Sequence, residues 1–131
     1  MDSEIEHRVQ RKLDALCTVV QERFGVVMRP GVAWDLRGQA AGQANGRRNR
    51  IRFNRELAER YPNEFVAQTV PHELAHLVAF QKFGGSIRPH GREWQAVIVA
   101  LGAEPRRTHC YEVTSTRKLK RFSYQCHCPD A

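Results

Sequence analysis

The chain has 131 residues, 21 Lys and Arg against 14 Asp and Glu, and a formal charge of +7. That length supports one domain burying roughly two-thirds of its unfolded surface and leaves little room for a second core. Hydrophobic residues at 41% and charged residues at 27% argue against a disordered chain, and the longest charge-free apolar stretch, 94–103, covers only about half a bilayer, so no transmembrane helix is expected.

The opening Met1-Asp2-Ser3-Glu4 is acidic and lacks the basic and apolar regions of a secretory signal, which predicts a cytoplasmic location. Ile5, Val9, Leu13, Leu16, Val20 and Phe24 then recur every three or four residues. They form one face of a helix of about five turns that Gly25 ends. Cys17 lies beside that stripe and reads as a small packing residue, and His7 reads as surface. Three β-like pieces follow at 32–36, 40–45 and 50–54, with Asn45-Gly46 as a hairpin signal. Alternation of Ile51 and Phe53 with Arg50, Arg52 and Asn54 predicts a sheet with one buried and one basic face. Three strands cannot stand alone, so helices must cover it. A second helical region is expected over 63–83, stopped by Gly84-Gly85, with Val66, Val70, Leu74, Leu77 and Val78 on one side. Pro71 predicts a kink or a fresh helix start there. A third helix over 92–101 turns Trp94, Val97, Ile98 and Leu101 inward. The expected fold class is α+β: an N-terminal helix, a three-stranded antiparallel sheet, and two further helices.

Positive charge is uneven. Residues 36–60 carry seven Arg against two acids, and residues 105–131 carry six Lys or Arg against two acids. Two basic patches flanking a near-neutral centre would attract a polyanion, of which nucleic acid is the commonest. Arg47, Arg48, Arg50 and Arg52 in the first patch, and Arg117, Lys118, Lys120 and Arg121 in the second, are the candidate contacts. Both patches are poor in aromatic residues, which signals a stacking platform only weakly.

His72-Glu73-Leu74-Ala75-His76 is an HExxH motif. Residues four apart on a helix stand one turn above each other, so two imidazoles can converge on one Zn²⁺. The helical wheel places both histidines away from the apolar stripe, where they project without competing with core packing. Glu73, between the two faces, can reach an activated water as general base and pass its proton to a leaving amine. A catalytic zinc needs three protein ligands and one open position. His90, in a loop between helices, is the favoured third ligand, and Glu93 is its rival. Cys126-His127-Cys128 resembles half of a zinc ribbon. It reads either as free thiols or, with His109 and Cys110, as an improvised Cys₃His site.

These motifs, in order, resemble the bacterial SprT proteins, relatives of the eukaryotic DNA-dependent protease Spartan. The resemblance rests on residues 70–77 around HExxH, on Pro89-His90-Gly91-Arg92-Glu93-Trp94 and on Arg106-Arg107-Thr108-His109. It extends to the Ile51-Arg52-Phe53-Asn54 strand and the 122–128 ending. It implies a zincin-like metallopeptidase domain over residues 1–121, with His72, His76 and His90 as zinc ligands and Glu73 as catalytic base. It also implies activity toward proteins bound or crosslinked to DNA, stimulated by DNA. By family position His109 and Tyr111 are candidates for oxyanion or substrate contact. Residues 122–131 correspond to the start of a zinc ribbon that lacks its second cysteine pair, so a second, structural zinc is not expected. A monomer is assumed, with no membrane partner. Two other function classes fit the same residues. One is a nucleic-acid-binding module with a mainly structural metal, which would be indifferent to loss of Glu73. The other is a metal-dependent hydrolase acting on something other than peptide.

Overall fold

The computed structural model describes residues 4–106. The stretch carrying His109, Cys110, Tyr111, Arg117, Lys118, Lys120, Arg121, Cys126 and Cys128, with the expected 122–131 unit, lies outside the described residues.

Helix α1, Glu4–Phe24, buries Ile5, Val9, Leu13, Leu16 and Val20, the predicted stripe. Glu4 and Glu6 in its first turn and Arg23 in its last complement the helix dipole. Gly25 closes it in the left-handed conformation at φ +70, its N–H donating to Gln21 O at 3.0 Å. Cys17 packs against the core beside this stripe, and burial, assisted by Asp14, pushes its thiol pKa up.

The three strands are β1 Gly31–Ala33, β2 Gly42–Asn45 and β3 Arg50–Phe53, in the order β1-β3-β2. The sheet is mixed, which corrects the antiparallel expectation. β2 and β3 form the antiparallel hairpin, with Gly42 opposite Phe53 and Asn45 opposite Arg50. β1 runs parallel to β3, with Val32 opposite Ile51. The reason is topological: the chain between β1 and β2 steps past the position that β3 fills, so β1 and β2 never pair. Asn45-Gly46 does make the hairpin turn. Asn45 Oδ1 accepts the Arg48 N–H at 3.1 Å, Gly46 O accepts that of Asn49 at 3.3 Å, and Asn49 adopts φ +54. The predicted faces hold within the strand, since Ile51 and Phe53 are fully buried, Arg50 is exposed and Arg52 half-buried. Asn54, expected on the basic face, is instead buried at 1% exposure, where its side chain caps the next helix.

A helix absent from the sequence reading follows directly: α2, Arg55–Arg60. Asn54 caps it, Oδ1 accepting the Leu57 N–H at 3.1 Å. The chain continues through a short α3, Pro62–Glu64, into a π-turn, Phe65–Thr69, where the Val70 N–H reaches Phe65 O. Helix α4, Val70–Phe83, continues directly from that π-turn, since Thr69 and Val70 both have helical backbone. Pro71 therefore neither breaks the helix nor begins a separate one, and the local change to π spacing lies just ahead of it. α4 runs through the middle of the molecule, packed against β2 and α5, and α1 also touches it. Helix α5, Arg92–Ala100, turns Trp94, Val97 and Ile98 inward, and Leu101 after it is also buried. Among the described residues no helix is long and apolar enough to cross a membrane.

Candidate metal centre

His72 and His76 stand one turn apart on α4, with ring centroids 5.1 Å from each other. After α4, Gly84 at φ +93 reverses the chain, and the 84–91 segment returns over the helix. His90 sits near its end at φ +61. The following Gly91 N–H donates to Arg88 O at 3.0 Å, and Gln95 Nε2 donates to His90 O at 3.1 Å. This folding brings His90 Nε2 to 3.2 Å from His76 Nε2 and 3.3 Å from His72 Nε2. Two nitrogens each 2.0–2.1 Å from one tetrahedral ion are separated by about 3.3–3.4 Å. The three imidazoles are therefore spaced as ligands of a single ion, and their donor set suits zinc. Glu93, the rival third ligand, is half-buried on α5 and is not part of this group.

The centre differs from the sequence reading in one respect. The histidines do not project from an otherwise packed helix, because α4 is buried on nearly every side and His72 is only 1% exposed. The sheet covers one side and α5 the other, so between Val70 and Ala79 only His76 is part-exposed. Trp94, which sequence periodicity marks as a core residue, is also the wall of the site. Its ring centroid lies 5.0, 5.5 and 4.8 Å from those of His72, His76 and His90. Its indole Nε1 donates to His72 O at 3.3 Å. A buried indole thus fixes the helix turn that presents the first histidine.

Glu73 is fully buried beneath β2. A cleft of about 350 Å³ opens beside His76 and Trp94. Gln43 to Arg47, from β2 and its turn, form one wall, and the 84–89 segment with Arg88 forms another. Phe80 lies in this cleft against Gly46 and Gly85, both of which it approaches too closely for a Cβ at either position. β2 is one of the two outer strands of the sheet, bonded to β3 on one side only, and it is the one that lines the cleft.

The arginines of the first basic patch divide into two groups. Arg47, Arg48 and Arg50 are exposed around the hairpin turn. Arg52 instead donates to Asp35 Oδ1 at 2.8 Å and Gln43 Oε1 at 3.0 Å, and that bond holds the Asp35 carboxyl below its ordinary pKa. Arg88, which the sequence reading did not single out, lines the cleft together with Arg47. Gly42 and Asn54 were also missed as contributors to the site. An isolated glycine inside a strand pattern is itself a signal of close backbone approach.

A profile of the SprT-like family matches residues 9–117. Proteins named SprT share much of the sequence. That of Pseudomonas savastanoi pv. phaseolicola is 42% identical over 132 residues, covering 100% of this chain and 78% of its own. That of Pseudomonas syringae pv. syringae is 48% identical over 104 residues, covering 79% and 63%. That of Actinobacillus succinogenes is 43% identical over 127 residues, covering 95% and 73%. The match thus spans less than two thirds of the P. syringae relative. No solved structure matches the chain significantly.

Proposed function

The chain belongs to the SprT-like family, and on that premise we propose that it is a zinc-dependent endopeptidase acting on proteins bound or crosslinked to DNA. The observation that carries the reading is the convergence of three Nε2 atoms at 3.2 and 3.3 Å, with the Glu73 carboxylate one residue along the same helix. His72, His76 and His90 would hold the ion. Bound zinc would supply Lewis acidity and lower the pKa of a water toward neutrality. Glu73 accepts the water's proton on a carboxylate oxygen and returns it to the amine as the peptide bond breaks. The outer strand β2 aligns an extended substrate by strand addition, so that recognition falls mainly on its backbone. His109 or Tyr111 provides the contact to the developing oxyanion. Arg47, Arg48 and Arg50, exposed around the hairpin turn, bring the domain to nucleic acid together with the basic run 117–121.

The test is cleavage of a DNA-binding protein, with and without DNA, by the wild type and by Glu73→Gln. Cleavage by the wild type alone, increased by DNA, is expected, with zinc bound in both proteins. Cleavage that survives Glu73→Gln with zinc retained would overturn the mechanism. Salt-sensitive DNA binding with no cleavage under any condition would favour a binding module with a structural metal.

A further inference from the structure

Gly42 is the first residue of β2, and its backbone lies directly over Glu73. A Cβ placed there would stand 2.7 Å from Glu73 Cγ, 2.9 Å from Oε2 and 3.0 Å from Cδ. The carboxyl-bearing half of Glu73 therefore lies flat in the space that any other residue at position 42 would fill. Gly42 does not occupy the left-handed region, unlike Gly25, Gly38, Gly84 and Gly102. The backbone conformation thus permits any residue, and room for Glu73 is what requires glycine here.

We propose that Gly42 is a positioning residue for Glu73, fixing the direction of its carboxylate while leaving the three histidines untouched; this rests on the reading of Glu73 as the base. Neither backbone can yield to a Cβ. The strand is held by its pairing with the fully buried Phe53. It is also held at Ala41 O, which accepts the Asn54 N–H at 3.0 Å, and at Gly38 O and Ala40 O, which each accept from Asn54 Nδ2 at 3.0 Å. The helix is held at His72 O by Trp94 and by Leu74, Ala75 and Val78, none of them exposed. The Glu73 side chain is the part that moves.

The experiment compares Gly42→Ala in the wild-type and Glu73→Ala backgrounds, with zinc content, Tm and peptidase kinetics measured on the full chain. In the wild-type background one zinc per chain is retained, and kcat falls about 100-fold, the cost of a displacement of about 1 Å. KM changes by less than about twofold, because the substrate-aligning edge of β2 stays in place. Tm falls by about 5 °C through overpacking, and that loss disappears in the Glu73→Ala background, where the obstructing atoms are gone. Unchanged kcat with zinc bound, loss of zinc, or an equal fall in Tm or failure to fold in both backgrounds would each overturn the proposal. The Tm comparison needs no activity. It reports the Gly42–Glu73 contact even if Glu73→Gln were to show that Glu73 is not the base.

Discussion

His90 holds a left-handed backbone, φ +61, that costs an ordinary L-residue about 1–2 kcal/mol. Strain of this kind persists where the surroundings impose it, and here the imposed result is an imidazole aimed at two others. Asparagine adopts that conformation with less penalty because its short polar side chain bonds locally. His90→Asn is therefore expected to abolish stoichiometric zinc binding while leaving metal-free stability within about 1 kcal/mol of the wild type. Chemical denaturation of chelator-treated proteins, beside zinc analysis of the untreated ones, makes the comparison. A metal-free variant several kcal/mol less stable would identify His90 as a packing partner of Trp94 rather than a ligand. Spacing alone put His90 and Glu93 equally at a loop's distance from the HExxH helix, and it was the place of His90 in the loop between helices that favoured it, in agreement with the grouping of the three histidines. That grouping depends on how the 84–91 segment turns back, and only the glycines that begin this turn are visible as residue types.

At the scale of elements, Asn54 joins three pieces of structure with one side chain. Its oxygen caps α2, and its amide donates to Gly38 O and Ala40 O ahead of β2. Asn54→Ala removes a cap worth about 1 kcal/mol and leaves two carbonyls without that donor. A loss of about 2–4 kcal/mol is expected, read from urea unfolding. A loss confined to the cap's share would mean that water replaces the amide at both carbonyls. That single residue explains why α2 escaped the sequence reading: six residues offer no periodicity, and the capping asparagine also continues the strand pattern. α1, β3 and α5 were legible because each buries one face and solvates the other. α4 was misread for the opposite reason. Covered on nearly all sides, it has no polar face to give the stripe an edge, so its histidines seemed to project outward. The direction of β1 was illegible because alternation records which face is buried and says nothing of which neighbour pairs.

The chain carries a net charge of +7, and among the described residues the surroundings of each arginine separate them by role. Arg52 is bound to Asp35, Arg55 pairs with Glu6, and Arg106 reaches Glu64 at 2.7 Å. Arg47 lines the cleft, Arg48 and Arg50 are exposed around the adjoining hairpin turn, Arg88 stands on the cleft's other wall, and no described acidic residue lines the cleft. Among the described residues, the end of the hairpin thus carries a group of exposed cations beside the proposed catalytic centre. Each phosphate neutralised contributes about 0.9 to the slope of log affinity against log salt for duplex DNA, and about 0.7 for a single strand. Replacing Arg47, Arg48 and Arg50 together by Ala is expected to lower that slope by about 2–3 on duplex DNA. The same change should remove the DNA stimulation of cleavage and leave cleavage of a free peptide unchanged. Arg52→Ala is expected to leave the slope alone, because its guanidinium is already committed within the sheet. Its effect falls on Asp35, whose folded pKa is lowered by that bond. Such a carboxylate adds stability above its unfolded pKa and loses it as pH falls through the folded value. Arg52→Ala should therefore flatten the acid limb of the stability profile. Salt titrations of both variants on one duplex decide the matter. A slope reduced as much by Arg52→Ala as by any one of the other three would mean that the Asp35 bond opens on binding and that DNA crosses the face of the sheet.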